Sequence, residues 1–200
     1  MHIALLGGSF DPPHNGHIAV AQAVFEAIKP DRVELLVSFE SPHADGKSNQ
    51  ANAQQRLKMT GLAADEHDWL GVEDIEHRMA GKSFTHRTVT ELLVQHPSNR
   101  YSFVIGGDML SNLRHWYRIE ELLTMIDFVP VYRQGFDERV YQDLSRHLPQ
   151  DAVVAIYDRH VEMTPVDISS TEVRATTGIE RAKLVPGNVA EFIEAEGLYR

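Results

Sequence analysis

Two histidines, His14 and His17, stand three residues apart in a loop whose residue types suit phosphate binding. Residues 7–17 read Gly-Gly-Ser-Phe-Asp-Pro-Pro-His-Asn-Gly-His. Glycine lets a backbone approach a ligand closely because no Cβ intervenes. The apolar spacing after the loop predicts a helix, whose N-terminus favours anions, and two imidazoles there are close enough to donate to one phosphate chain. The sequence therefore predicts a phosphate-binding loop with imidazole donors.

Other interpretations of this loop fit the residues less well. A tight turn between a strand and a helix explains the glycines and prolines but gives no reason for two histidines. A zinc site at His14 and His17 lacks further ligands, because the chain has no cysteine and no His-Glu-x-x-His motif. The Gly-Lys-Ser sequences at 46–48 and 81–83 lack the glycine that a P-loop needs five residues earlier. No Gly-x-Gly-x-x-Gly follows the first predicted strand, so the dinucleotide fingerprint is absent as well.

A second stretch with binding chemistry, residues 168–174, reads Ile-Ser-Ser-Thr-Glu-Val-Arg. Ser169 and Glu172 match the capping-box pattern, which by itself indicates an ordinary helix cap. Three consecutive hydroxyl side chains beside free backbone amides also offer donors, and Arg174 adds a planar guanidinium suited to phosphate. Together with the loop at 7–17, this stretch predicts a polyphosphate held from two sides.

The elements that must position these residues alternate between strands and helices. Predicted strands cover 3–6, 33–37, 69–72, 101–105, 128–132 and 152–156. Predicted helices cover 17–29, a segment capped by Asn52 and Gln55, a segment capped by Thr85, 119–123 and a last segment that stops at Gly197. Pro130 indicates an edge strand or a bulge. This alternation predicts an α/β fold, namely a Rossmann-like, doubly wound, mostly parallel sheet with helices on both faces.

Two residues that follow later strands have more than one interpretation. Asp108 follows the strand at 101–105 and a Gly-Gly pair, so it suits either ribose hydroxyls or a helix N-cap. Trp116, taken alone, is better explained as a core residue than as a ligand stack.

The composition limits the classes of function. Two hundred residues with 42% hydrophobic and 24% charged side chains are typical of one soluble globular domain. A formal net charge of −10 argues against a broad face for nucleic acid or membrane. The absence of cysteine excludes disulfides and cysteine nucleophiles, and no apolar run is long enough for a signal peptide or a membrane span. The sequence therefore predicts a cytoplasmic protein without nucleic-acid or membrane partners.

The motifs at 7–17 and 168–174, in this order, resemble those of the bacterial nicotinate-nucleotide adenylyltransferases. These belong to the wider nucleotidyltransferases with a His-x-Gly-His signature. The resemblance covers nearly the whole chain and includes 56–59, 83–85, 105–108, Trp116, 133–135 and 192–199. It implies a single nucleotidyltransferase domain over 1–200. The implied reaction transfers AMP from ATP to nicotinic acid mononucleotide, giving nicotinic acid adenine dinucleotide and pyrophosphate.

The resemblance also implies roles for individual residues, with His14, His17 and Arg174 as the catalytic ones. The implied ATP-binding residues are Gly8, Ser9, Phe10, His14, His17, Gly106, Asp108, Ser169, Ser170, Thr171 and Arg174. The implied acceptor-binding residues are His43, Thr85, Trp116 and Tyr117. Mg²⁺ is expected to arrive with ATP rather than in a protein metal site. The partners are therefore ATP and a pyridine mononucleotide, and homo-oligomerisation is left open.

Two positions depart from the pattern of the family. Residues 41–44 read Ser-Pro-His-Ala where the family usually has Pro-Pro-His-Lys, and the nearest lysine is Lys47. Arg87 stands where the family usually has aspartate, and its side chain either turns toward the acceptor or points to solvent. The alternatives left open are an adenylyltransferase acting on nicotinamide mononucleotide or phosphopantetheine, and a nucleotide sensor that has lost turnover.

Overall fold

One parallel sheet organises the chain. The computed structural model describes residues 1–40, 49–133, 137, 139–164 and 166–200. The strands within these residues are β1 (His2–Gly8), β2 (Arg32–Val37), β3 (Leu70–Glu73), β4 (Arg100–Gly106), β5 (Asp127–Arg133) and β6 (Val161–Met163). They form a sheet in the order β3-β2-β1-β4-β5-β6, and each pairing is parallel. The predicted Rossmann-like parallel architecture is confirmed.

Helices cover both faces of this sheet. They are α1 (Asn15–Ile28), α2 (Ala53–Ala64), α3 (Ile75–Met79), α4 (Thr85–Gln95), α5 (Gly107–Ser111), α6 (Ile119–Met125), α7 (Arg139–Leu144), α8 (Gln150–Asp158), α9 (Ser170–Ala175), α10 (Gly178–Ala182) and α11 (Gly187–Glu196). Side chains alternate across a strand, so Leu5 packs in one core cluster with Leu122 of α6, while Leu6 packs in another with Val24 of α1. In the described segments, every helix is too short or too polar to span a bilayer.

A third cluster lies beside the sheet and joins α2, α9 and α11. Its buried members include Met59, Val173, Val189, Ile193 and Tyr199. This packing brings the segment after α11 next to α2 and α9. It matters for the site, because α9 carries the second predicted binding stretch.

The predicted strand at 152–156 is wrong, because these residues lie in α8. Val153 and Ile156 are buried at helical spacing, whereas Val154 between them is 51% exposed. A short apolar run does not by itself distinguish a strand from a buried helix face. The strand in this part of the sheet is β6, only three residues long.

Three local predictions also need correction. Pro130 does not lie in an edge strand, since β5 stands between β4 and β6; pairing with β6 begins only at Val131, after the proline. Thr85 is the first residue of α4, and Phe84 occupies the cap position. Helix α1 begins at Asn15, two residues earlier than predicted, and ends before Lys29, whose φ is 46°. The predicted cap of α2 is confirmed by reciprocal hydrogen bonds of Asn52 and Gln55.

Candidate active site

The site forms between β1 and β4, where the order of the strands along the sheet reverses. The helix after β1 packs on one face, as Ala21 shows, and the helix after β4 packs on the other, as Leu110 shows. Open parallel sheets bind ligands at such a point, outside the carboxyl ends of the strands. The loop that leaves β1 here is the predicted phosphate-binding loop.

Two cavities open at this edge and share Leu6, Val104 and Gly106 in their walls. The smaller has a volume of about 240 Å³, and apolar side chains make most of its remaining wall, among them Val20, Val131, Tyr132, Met163 and Val166. The larger has a volume of about 680 Å³, which lies within the range of small-ligand sites. Residues 7–17, called the phosphate loop below, border both cavities. Gly16 lines the smaller cavity, and Gly7 to Ser9 line the larger one. A ligand in either cavity therefore lies beside this loop.

His14 and His17 form a stacked pair at the start of α1. Their ring centroids lie 3.7 Å apart. The backbone N–H of His14 donates to Nδ1 of His17 at 3.1 Å. Because Nδ1 of His17 accepts this bond, its proton must reside on Nε2. His17 is thereby fixed as an Nε2–H donor.

Both imidazoles are neutral near pH 7. Burial lowers the pKa of His14 to about 4. Burial, and secondarily the neighbouring His14, hold the pKa of His17 well below its ordinary value. Nδ1 of His14 is buried and has no hydrogen-bond partner among the described residues. The pair can therefore hold an anion through N–H groups and the dipole of α1 rather than through formal charge.

Gly16, between the two histidines, is required by this packing. A Cβ at this position would lie 2.9 Å from Nδ1 of His14. The sequence pattern pointed to the glycines at 7 and 8 for close approach to a ligand but gave no reason for Gly16. The structure supplies it: any larger residue would displace the ring of His14.

We expect the unfolding free energy to fall as the pH drops from 7.5 to 5, in part because of His14. Its pKa is about 4 in the folded state and about 6.5 in an unfolded chain. Between these values only the unfolded state binds the proton, so folding loses stability as the pH falls below 6.5. His14 should contribute about 2 kcal/mol of this loss at pH 5.

Denaturant unfolding of the wild type and of His14→Gln at pH 7.5 and 5 measures this contribution. The pH-dependent loss should be smaller in His14→Gln, and the exposed His96→Gln serves as the control. The same loss in His14→Gln and wild type would contradict neutral burial of His14.

The stretch at 168–174 contacts the phosphate loop, and the polyphosphate predicted between them stays a prediction. Arg174 donates through Nη1 to the carbonyl of Asp11 at 2.7 Å and through Nη2 to Oγ1 of Thr171 at 3.1 Å. The hydroxyl of Ser170 donates to the carbonyl of Pro12 at 2.9 Å. Ser169 caps α9 by accepting the N–H of Glu172. In these contacts Ser169 and Thr171 accept, so their hydroxyl protons, the remaining N–H groups of Arg174 and the first amides of α9 can still donate to a phosphate chain.

Arg56 belongs to the stretch 56–59 of the family resemblance, and its side chain joins two strand ends. The residue is 1% exposed. It donates to the carbonyls of Ser9, Ser38 and Phe39 at 2.8, 2.7 and 3.1 Å. It therefore ties the end of β1 to the end of β2. The segment 38–39 leads toward His43 and Lys47, which lie outside the described residues.

The side chain of Phe10 is buried below the loop and does not face a cavity. It is 1% exposed and its ring lies edge-on to His17, with centroids 4.9 Å apart. The backbone of Phe10 has a φ of 48°. Its predicted contact with ATP can therefore come only from the backbone.

The larger cavity contains three of the predicted acceptor residues, Thr85, Trp116 and Tyr117. Trp116 is only 7% exposed and packs edge-on against Phe103 and Phe128. It is thus a core residue that also lines the cavity. Tyr117 is 55% exposed at the rim. Thr85 is the first residue of α4 and lines the cavity, so the N-terminus of this helix lies at the cavity wall.

Glu76 is an acidic wall residue that sequence reasoning missed. Its side chain is buried, and Oε1 accepts the hydroxyl of Thr88 at 2.7 Å. Burial raises the pKa of this carboxyl. No motif marks Glu76, because it joins the site only through the packing of α3 against α4.

Arg87 does not line the larger cavity, which contains the predicted acceptor residues. It is exposed, and its guanidinium donates to the carbonyls of Ala80 and Met79 at 2.9 and 3.2 Å. It therefore closes the end of α3 and is absent from the wall of the larger cavity. Of the two interpretations left open by the sequence, the inward one is wrong.

Asp108 is not a helix N-cap, because Gly106 holds that position in α5. Asp108 is the second residue of this helix and is exposed. Gly106 lines both cavities. The remaining interpretation, a contact of Asp108 with ribose hydroxyls, stays a prediction.

The chain is similar to named proteins over nearly its whole length. The cytidylyltransferase-like family model matches residues 5–176. A probable nicotinate-nucleotide adenylyltransferase of Geobacillus kaustophilus is 34% identical over 198 residues, which cover 98% of this chain and 85% of that protein. A protein of the same name from Streptococcus pneumoniae is 36% identical over 199 residues, covering 98% and 88%.

Solved structures share the fold at lower identity. Plasmodium falciparum nicotinic acid mononucleotide adenylyltransferase complexed with NaAD matches with a TM-score of 0.73 and 18% identity, over 99% of this chain and 97% of that one. The same enzyme complexed with APC matches with a TM-score of 0.71 and 16% identity, over 99% and 96%. At these identities the likeness shows the fold alone.

Proposed function

We propose how this site works from the family of the chain. The chain belongs to the cytidylyltransferase-like family and, within it, to the nicotinate-nucleotide adenylyltransferases. It transfers AMP from ATP to nicotinic acid mononucleotide, giving nicotinic acid adenine dinucleotide and pyrophosphate, a step of NAD biosynthesis. The observation that carries the assignment to this site is the phosphate loop, which borders two adjoining cavities. A reaction that joins two nucleotides through their phosphates needs this arrangement.

We assign one substrate to each cavity from the chemistry of its walls. The smaller, apolar cavity suits the adenine base of ATP and has Gly106 in its wall. Asp108, two residues further along the chain, would then bind the ribose hydroxyls. The larger cavity suits the pyridine mononucleotide, since it combines aromatic side chains with the polar start of α4. The two reacting phosphates would then meet at the loop, next to His14 and His17.

In this assignment, His17 donates through Nε2–H to the α-phosphoryl group, where charge builds during transfer. His14 and Arg174 hold the leaving pyrophosphate, together with backbone amides at the start of α9. The attacking phosphate needs no general base, because its second pKa is about 6 and it is mostly ionised at pH 7. The protein therefore contributes alignment of two anions and stabilisation of charge in the transition state.

A divalent cation accompanies the triphosphate in nucleotidyltransferases of this kind, and we propose Mg²⁺. Among the described residues, no group of three His, Asp or Glu side chains is placed to hold a metal ion. Mg²⁺ usually keeps several waters and binds substrate phosphates, so it would enter with ATP. The roles proposed for His14, His17 and Arg174 need no protein ligand to the metal.

We expect Arg174→Lys to raise the KM for ATP about tenfold or more and to leave the KM for the acceptor nearly unchanged. A lysine ammonium cannot reproduce the two-pronged contact of a guanidinium, and one charge-assisted hydrogen bond contributes roughly 1.5–3 kcal/mol. Steady-state kinetics with each substrate varied in turn measures both constants. Arg146→Lys on the exposed surface is the control. A normal KM for ATP with an impaired KM for the acceptor would place Arg174 in the other half of the site.

Pyrophosphate release from ATP, measured with each acceptor in turn, tests the proposal as a whole. We expect release with nicotinic acid mononucleotide and none with phosphopantetheine or without acceptor. Release with phosphopantetheine would support the related adenylyltransferase instead, and ATP binding without release would support a nucleotide sensor. The single domain and the cytoplasmic location remain predictions from the sequence.

A further inference from the structure

A buried polar cluster connects the phosphate loop to the segment after α11. Its centre is the carboxylate of Asp11, which is 3% exposed. The hydroxyl of Tyr199 donates to Oδ1 at 2.7 Å. The backbone N–H groups of Ala51 and Gln50 donate to Oδ1 and Oδ2 at 3.0 and 2.8 Å. This one side chain of the loop is therefore held by a distant tyrosine and by the segment that leads into α2.

Asp11 is also the residue against which Arg174 is oriented. Its carbonyl accepts Nη1 of Arg174 at 2.7 Å. The carboxylate and the carbonyl of one residue thus connect Tyr199 with the guanidinium that is assigned to the pyrophosphate. A shift of Asp11 would move both partners.

Arg181 fixes the other end of this connection. It is 6% exposed, and Nη2 donates to the carbonyl of Tyr199 at 2.7 Å. Its Nε donates to the carbonyl of Thr176, just after α9, at 2.7 Å. The segment after α11 is therefore bonded both to the phosphate loop and to the helix that carries Arg174.

The backbone at Tyr199 indicates that its position is strongly determined. Its φ is 57°, in the left-handed region that a bulky residue adopts only when its surroundings impose it. Burial, and secondarily the bond to Asp11, raise the pKa of Tyr199 above its usual range, so the hydroxyl remains a donor at any assay pH.

We propose that Tyr199 is a positioning residue for ATP: through Asp11 it sets the orientation of Arg174 toward the triphosphate. The inference rests on the proposed function, because it concerns the same triphosphate site. Tyr199 does not touch substrate in this role. It holds the carbonyl of Asp11 in the position in which the guanidinium of Arg174 faces the phosphates.

The test is Tyr199→Phe, which keeps the ring in its cluster and removes only the hydroxyl. Tyr101→Phe is the matched control, because Tyr101 is also buried, at 2% exposed, and its hydroxyl accepts from Asn99. Tyr101 lies near the start of β4, whereas the site lies at the end of this strand. We expect the dissociation constant for ATP to rise roughly two- to tenfold in Tyr199→Phe and to stay unchanged in Tyr101→Phe. Calorimetric titration of ATP measures it without an acceptor, so the result does not depend on turnover.

A double-mutant cycle with Arg174→Lys separates positioning from a general structural effect. If Tyr199 acts through Arg174, Tyr199→Phe should weaken ATP binding much less in the Arg174→Lys background than in the wild type. Additive effects in the two backgrounds, or unchanged ATP binding by Tyr199→Phe, would overturn the proposal. If Tyr199→Phe fails to fold, Arg181→Lys, which loosens the same segment from the end of α9, should show the same loss and the same non-additivity. Absence of pyrophosphate release by the wild type would instead overturn the proposed function while leaving this measurement valid.

Discussion

His17→Ala should lower kcat by about 10²–10³ while leaving the fold intact, the usual cost of losing one preorganised donor to developing charge. The stacked pair fixes His17 as an Nε2–H donor, because its Nδ1 accepts the N–H of His14. The donor is in place before the reaction and needs no protonation, since burial keeps the pKa of His17 well below its ordinary value. The effect should therefore fall on kcat more than on the affinity for ATP.

Two further variants separate the donor from the packing of the loop. His17→Asn keeps an acceptor near the position of Nδ1 for the N–H of His14 but has no group near Nε2, so it should be as slow as His17→Ala. His17→Gln places an amide near Nε2 and should recover part of the rate. Single-turnover rates with both substrates saturating measure the chemical step. A kcat near that of the wild type in His17→Ala would assign the α-phosphoryl contact to another residue.

The acceptor preference should be the second largest effect: about ten- to a hundredfold in kcat/KM for nicotinic acid mononucleotide over the amide. This range corresponds to one charge-assisted hydrogen bond, at roughly 1.5–3 kcal/mol. The donors that we assign to the carboxylate are the hydroxyl of Thr85, a residue of the cavity wall, and the amides at the start of α4. Trp116 can stack on either ring and should not discriminate.

Two variants test the origin of this preference. Thr85→Val has the same shape without the hydroxyl, so it should reduce the ratio of the two kcat/KM values. Arg87→Gln should leave the ratio unchanged, because the guanidinium is bonded to the carbonyls of Ala80 and Met79 outside the cavity wall. The ratio is measured at matched ATP concentrations. Equal values for the two mononucleotides in the wild type, or a preference for the amide, would contradict the assignment of the carboxylate to Thr85.

Much of the fold could be predicted from the sequence, because its signals are local. Glycines between an apolar run and a helical pattern mark the turn from β1 into α1, and short apolar runs separated by helical patterns indicate parallel strands. The wrong strand prediction also came from a local signal. The run at 152–156 is short and apolar, and only its packing as α8, with Val153 and Ile156 buried, decides between helix and strand.

The sequence by itself determined the chemistry of the two binding stretches and the class of fold, since residue type and spacing along the chain suffice for both. Only the tertiary structure decided how the groups work together. It fixed the proton of His17, kept Arg87 out of the wall of the larger cavity and placed the hydroxyl of Tyr199 on Asp11, 188 residues away in the chain. Such contacts depend on which surfaces pack against each other, and no local periodicity encodes that choice. Protonation, orientation and coupling between distant segments therefore follow from the folded core rather than from the motifs.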